Sequence, residues 1–360
     1  MTIVHIDTGL TMRGGQRQVL NLARGLLERG HSQTIVSPEG SELSRRAHDE
    51  GIHLFPLPPH DLGYAHGICQ LRQFLLTSPP QIMHAHDGRA QTVSWLASWG
   101  LPVRRVASRR VTFLPRTRAR HRMIYSWTCH AVIAVSMFIR ELLIQSGVAP
   151  GKIEVIPDGI EIPRDAPSEE ERSRARLELG LEAGNFVIGY LGAATPEKGL
   201  PLAVAGFAMA AQRLPQAKLL VMGDVPPVVQ QSLLGAAGDA RSSVQFLGAR
   251  DDLRPFFAAI DLFWIPSLAE GLGSAALLAM AHGCPVVASR AGGLPEVISD
   301  GKTGWLVEPG EPLGFAEAAW QAFGDRQRLT QMGIAAREKA HLFSTDIMVV
   351  HTERLYRQLA

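Results

Sequence analysis

The chain has 360 residues, 46% of them apolar and 19% charged, with a formal net charge of +2. That is length and apolar content for two ordinary domains; no run reaches the roughly 18 apolar residues of a membrane span, and the opening MTIVHID reads as a strand, not a signal peptide. The charge is divided, since residues 1–150 hold 17 Arg and no Lys against 9 acidic residues (+8) while residues 151–360 carry −6, so the halves are expected to meet different partners.

Ile3 to Asp7 reads as the first strand, followed by a loop through Gly14-Gly15 and a helix from about Gln16 to Arg29. At a strand-to-helix turn the glycine pair lets a substrate approach bare backbone, and a tight turn alone explains it equally well. It is not a G-x-G-x-x-G fingerprint, so a dinucleotide site is unsupported. Gly30 ends the helix and Gln33 to Ser37 is the second strand. The alternation continues, predicting a doubly wound parallel sheet. Cys69, Cys129 and Cys284 are widely spaced, which fits a reducing cytosol and offers no metal spacing.

Ile82 to Asp87 is strand-like and ends with His84 and His86 on one face. Two His with Asp87 invite a metal reading, but no Glu or third His stands at zincin spacing. A His over a sugar site is the better functional reading, and a satisfied structural His remains open for one of the two. Eight Arg lie between Arg104 and Arg122, with Phe113, Met123, Tyr125 and Trp127 in or just after the run. This is either a solvated basic face or a surface for an anionic membrane or a phosphorylated acceptor; nucleic acid ranks last, because no nucleic-acid-binding motif accompanies it. Val132 to Ser136 is a strand, Met137 to Gln145 a helix, and Val155 to Ile160 the last strand and exit of the first domain. The Pro-containing, densely charged stretch 163–176 reads as a linker running into a solvent-washed helix.

The second half opens its sheet at Phe186 to Tyr190. The following loop offers Gly192 amides and the Lys198 ammonium to an anion. Leu219 to Met222 and Val244 to Leu247 are further strands, and Asp252 with Asp251 is read as a cap of the helix Leu253 to Ala259. The apolar run Asp261 to Ile265 is a buried parallel strand, followed by a polar loop, a helix from Ala275 to His282 opened by Gly273-Ser274, and a strand Val286 to Ser289. Glu270 sits at the mouth of that helix, where open α/β sheets bind ligands. The plainer reading makes it a cap or a solvated side chain, although caps are usually Ser, Thr, Asp or Asn. Asp300 to Gly304 reads as a hairpin-like turn, and helices fill the chain to Ala360.

Taken together, Gly14-Gly15, IMHAHD, AVSMFIRE, VIPDGIE, PEKG, GARDDL, PSLAEGLG, AMAHGCPVVAS, AGGLPEVI and DGKTGWLVEPG occur in an order and spacing that resemble the family-4 retaining glycosyltransferases over nearly the whole chain. The resemblance implies the GT-B fold: two Rossmann-like, doubly wound parallel-sheet domains facing across a cleft. The expected division is an acceptor domain over 1–162, a nucleotide-sugar domain over 163–340, and a helix over 341–360 packing back on the first domain.

The resemblance further implies that Glu270 binds donor sugar hydroxyls and that Lys198 binds donor phosphates. It gives the pyrophosphate to Gly192 and the stretch Gly271, Leu272, Gly273, Ser274 and Ala275, and sets Gly14 and Gly15 beside the reacting sugar. His86 and Arg110 are the remaining catalytic candidates, and Arg109, Arg116, Arg118 and Arg120 those for acceptor or membrane contact. The expected partners are a nucleotide-diphosphate sugar and a cell-envelope glycan or glycolipid, with no cofactor, no metal and no nucleic acid. The expected location is cytoplasmic, with peripheral contact at the inner face of an anionic membrane.

Three positions depart from the family pattern. Leu278 replaces a Glu that holds the ribose, Ala193 replaces an Arg that contacts phosphate, and Arg110 stands nearest to a position that is often His. Losing one charge-assisted contact costs about 1.5–3 kcal/mol. The departures therefore keep open an ordinary transferase with a rebuilt donor site, an unusual donor, and a degenerate, poorly active member; Leu278 and Ala193 also favour a rival of another class, a non-catalytic glycan- or partner-binding protein on this scaffold. An epimerase or phosphorylase is disfavoured by the block order.

Overall fold

In the computed structural model, residues 1–58, 64–113 and 124–360 are described. The chain forms two compact units, one of Met1–Gly159 with Thr345–Ala360 and one of Ile160–Ser344. Each is a Rossmann-like parallel sheet with helices.

The first unit contains β1 (Thr2–Ile6), β2 (Ser32–Pro38), β3 (His53–Leu57), β4 (Ile82–Ala85), β5 (Arg104–Arg109), β6 (Ala131–Ala134) and β7 (Ile153–Val155), in the order β3-β2-β1-β4-β5-β6-β7. The second contains β8 (Phe186–Leu191), β9 (Ala217–Met222), β10 (Val244–Gly248), β11 (Leu262–Ile265), β12 (Val286–Ser289) and β13 (Gly304–Val307), in the order β10-β9-β8-β11-β12-β13. Both orders reverse at an inner pair, β1 with β4 and β8 with β11. Such a switch point opens a crevice outside the carboxyl ends of the strands. β4, β11 and β12 are buried at every residue, as continuous apolar runs in a sheet covered on both faces must be.

The helix Gly14–Glu28 begins earlier than expected. The Gln16 Oε1 accepts from the Arg13 N–H at 3.2 Å, which starts the helix ahead of the glycine pair. Gly14 and Gly15 are thus the first helical turn and not a loop turn, and a Cβ on Gly15 would meet nothing within 4 Å. The last helix, Thr345–Leu359, lies against Gly14–Glu28: a Cβ on Gly25 would come within 2.6 Å of Val349 Cγ2. Met348, Val349, Leu355 and Tyr356 join Ile3, Leu22, Leu26 and Ile82 in one apolar cluster. Glu353 receives Arg29 and His31.

The last strand of the first unit stops at Val155, and Asp158 lies in the irregular exit segment behind Pro157. One local expectation is corrected: the turn at Asp300–Gly304 is not a hairpin, because β13 runs parallel to β12. Among the described residues, no helix is long and apolar enough to cross a membrane.

Candidate functional site

The carboxyl edge of the second unit's sheet gathers Lys198 and Glu270. β8 runs through Gly192 and Ala193 into a 3₁₀ turn, Pro196–Lys198, and then into the helix Leu200–Arg213. Gly199 has φ +68°, and a Cβ there would lie 2.0 Å from the Pro266 carbonyl oxygen. The Leu268 N–H donates to the Glu197 carbonyl at 2.8 Å. The loop after β8 is thereby pressed onto the loop after β11 by a close approach that only glycine allows.

This apposition brings Lys198 Nζ to 2.6 Å from Glu270 Oε1, with side-chain exposures of 34% and 11%. The Glu270 carbonyl accepts from the Gly293 N–H at 3.0 Å. Gly292 has φ +57°, and a Cβ there would lie 1.9 Å from the same oxygen. The Tyr190 hydroxyl donates to the carbonyls of Ala193 (3.3 Å) and Lys198 (3.5 Å), tying the cation's loop from below. Burial keeps that phenol well above its ordinary pKa, so it remains a neutral donor. Next comes the helix Ser274–Ala281, which begins at Gly273 (φ +105°) and has no side-chain N-cap, leaving its first amides and its dipole for a ligand. Leu272 is 4% exposed, so it offers backbone only. A cation, a carboxylate, an uncapped helix N-terminus and glycine-lined backbone suit a ligand that joins phosphate to a polyhydroxyl body.

Two expected contacts are absent by residue type: Ala193 is exposed where a cation would serve, and Leu278 is half-buried on the helix after Glu270. Asp252 Oδ1 accepts from the Arg254 N–H at 3.0 Å, at the start of the helix Arg254–Ala259.

In the first unit, three imidazoles converge. His5 on β1 is the register partner of His84 on β4, and His86 follows two residues later. His5 Nδ1 lies 3.0 Å from His86 Nε2, and His5 Nε2 lies 2.9 Å from Gln33 Oε1. His84 Nδ1 meets the Tyr356 hydroxyl at 2.6 Å and its Nε2 meets Ser108 Oγ at 2.8 Å. Arg110, at the end of β5, donates from Nη1 to His86 Nδ1 (3.3 Å) and from Nε to Asp158 (2.9 Å). All three rings are almost fully buried. Burial lowers His5 to about 4 and holds His84 and His86 well below their ordinary value, with Arg110 adding to each, so all are neutral near pH 7. Asp158 is pushed up by burial and pulled back by Arg110.

One ring nitrogen from each of His5, His84 and His86 lies within 4.8 Å of the others, the donor type that a zinc-like ion takes. Each nitrogen nevertheless already has a hydrogen-bond partner, and a guanidinium abuts one of them. That set fits a hydrogen-bonded chain better than a cation. His5 belongs to no motif in the sequence; its signal is a lone polar side chain among Ile3, Val4 and Ile6.

The Arg run is not one surface. Arg104–Arg109 is an inner strand, so Arg109 is 8% exposed. It donates to the Phe113 carbonyl and lies over the Phe113 and Tyr125 rings at 5.1 and 6.0 Å. Arg109 is thus packed against Phe113 and Tyr125 and does not stand on an open surface. Arg116, Arg118 and Arg120 lie outside the described residues.

Comparison with known proteins places both halves. Residues 12–164 match the family model Glycosyltransferase Family 4, and residues 185–325 match Glycosyl transferases group 1. A D-inositol 3-phosphate glycosyltransferase of Corynebacterium aurimucosum is 28% identical over 331 residues, 85% of this chain and 78% of that protein. A GDP-mannose-dependent alpha-(1-6)-phosphatidylinositol monomannoside mannosyltransferase of Mycolicibacterium smegmatis is 28% identical over 351 residues, covering 91% of this chain and 90% of that one. The crystal structure of Anabaena HepE in complex with UDP-glucose superposes with a TM-score of 0.88 at 23% identity, over 99% of this chain and 100% of that one. With both units matched in tandem and the GT-B fold present, the chain belongs to the family-4, group 1 glycosyltransferases.

Proposed function

We propose that the protein is a retaining, metal-independent hexosyltransferase that moves a sugar from a nucleotide-diphosphate donor to a cell-envelope glycan or glycolipid. The observation that carries this is the Lys198–Glu270 pair, 2.6 Å apart, beside the uncapped N-terminus of Ser274–Ala281. Lys198, Gly192 and the amides from Gly271 to Ala275 hold the diphosphate, and Glu270 accepts from sugar hydroxyls. In the reaction the acceptor hydroxyl oxygen bonds to the anomeric carbon on the face that the phosphate leaves. The carbon–phosphate oxygen bond breaks, the nucleoside diphosphate takes the electron pair, and its oxygen takes the hydroxyl proton. The departing charge is met by Lys198 and the helix N-terminus, the work an ion would otherwise do.

In the first unit Arg110 offers a permanent cation to the reaction at the carboxyl edge of the sheet, with His86 behind it, and the open space at Gly15, next to Gly14, leaves room for substrate. The acceptor class is supported by the basic first half and by the names of the relatives above. Arg116, Arg118 and Arg120 are proposed to meet an anionic acceptor or the inner membrane surface.

The second reading, a non-catalytic glycan- or partner-binding protein, is favoured by Leu278 and Ala193, which remove two charged donor contacts. Calorimetry with UDP, GDP, ADP and CMP decides between them. Binding of one nucleotide that is lost in Lys198→Ala supports the transferase; no binding by the folded protein supports the second reading.

A further inference from the structure

The contacts around His86 have a direction that can be read atom by atom. A guanidinium only donates, so Arg110 Nη1 donates to His86 Nδ1 at 3.3 Å and that nitrogen carries the lone pair. The ring is neutral, so its proton sits on Nε2 and is donated to His5 Nδ1 at 3.0 Å. His5 is neutral as well, so its proton sits on Nε2 and goes to Gln33 Oε1 at 2.9 Å. The far end bears the mark of this order: Gln33 Nε2 is buried with no partner among the described residues. Turning the amide over would give Nε2 a ring N–H to face, two donors head to head. The unpaired amide is what a chain with one allowed direction leaves behind.

We infer that Gln33, His5 and His86 form a single-tautomer hydrogen-bond chain that positions the Arg110 guanidinium, with Asp158 as its second anchor, and that His5 and Gln33 are therefore positioning residues for the transfer reaction.

Arg110 is gripped on two sides, at Nε by Asp158 and at Nη1 by the imidazole lone pair. Among the described residues its Nη2 makes no hydrogen bond, which leaves one edge of the fork for an anionic group. Asp158 already offsets part of the charge of the guanidinium; neutral rings on its other side take up no more of it, whereas a second carboxylate there would leave the cluster net negative. His84 lies beside the chain at 4.0 Å between ring centroids from His86 but is taken up by Tyr356 and Ser108.

The reaction served rests on the proposed function above; the arrangement is testable without any substrate. The experiment is nitrogen-15 NMR of the full-length protein at about pH 7, following imidazole tautomers and the Arg110 Nε–H. The expected spectrum has His5 and His86 both neutral, protonated at Nε2, with a slowly exchanging Arg110 Nε–H. In Arg110→Met the donor that sets the direction is gone, and at least one of the two rings is expected to shift toward the Nδ1–H form. In Gln33→Leu the Arg110 Nε–H is expected to exchange about tenfold faster or more. Either ring charged or Nδ1-protonated in the native protein overturns the chain, as does an Arg110→Met protein with unchanged tautomers. Unchanged Nε–H exchange in Gln33→Leu overturns the positioning role. A transferase reading that fails by calorimetry leaves all of these readouts intact, so the two failures are distinguishable.

Discussion

Lys198 and Glu270, 72 residues apart in the chain, meet at 2.6 Å because Gly199 lets one loop touch the backbone of the other. In that pairing Glu270 is fixed by a cation which a diphosphate would draw upon. Truncating Lys198 to Met is expected to weaken nucleoside diphosphate binding by roughly 10- to 100-fold, the range of one charge-assisted contact. Glu270→Ala is expected to leave nucleoside diphosphate affinity within about threefold while lowering sugar transfer by roughly 100-fold or more. Calorimetry and initial rates on the same preparations separate the two effects; equal loss of nucleotide affinity in both variants would contradict the division of labour.

Two glycines that look alike in sequence are expected to answer oppositely to alanine. Gly292→Ala forces a Cβ into the Glu270 carbonyl at a positive φ, and should cost about 2 kcal/mol or more in thermal unfolding and abolish donor binding. Gly15→Ala sits in a helix with open space around its Cβ, and should raise stability by up to about 1 kcal/mol. If Gly15 lies where substrate approaches, its transfer rate should still fall about tenfold. A stable Gly15→Ala enzyme of full activity would remove that residue from the site.

The buried imidazoles make the protein acid-sensitive. Unfolded, His5 takes up a proton near its ordinary value of 6.5, and folded only near 4; His84 and His86 are displaced in the same direction. The unfolded chain therefore binds more protons below pH 6.5, and stability that is complete above that value is lost as pH falls toward the folded values. His5 alone contributes about 3 kcal/mol over that window. Asp7 and Asp158, raised by burial, act in the opposite sense above their ordinary carboxylate value. Urea unfolding at about pH 7 and about pH 5 should show a clear drop in midpoint; a flat profile would mean that the rings are charged in the folded state.

Chelation is the test of metal independence. On the proposed function, in which Lys198 and the uncapped helix N-terminus meet the diphosphate charge, transfer is expected to survive dialysis against EDTA with less than about twofold loss. A loss restored by a divalent cation would assign that role to an ion.

Much of this architecture was legible locally. The runs IMHA, LFWI and VVAS read as buried strands, and Gly and Pro punctuated the helices, because apolar runs, their spacing and turn chemistry act over a few residues. The motif order carried the family, and with it Lys198 and Glu270 as a pair worth examining. Other features were decided only in three dimensions. Arg109 and Arg110 are adjacent in sequence, yet one is packed inward over Phe113 and Tyr125 while the other is gripped by Asp158 and His86. Alternation along a strand sends neighbours to opposite sides, and which side holds a partner depends on distant segments. His5 reaches His86 only because β1 and β4 are neighbours in the sheet. That neighbourhood follows from burying whole faces of sheet and helix at once, a sum over the unit that no local stretch contains.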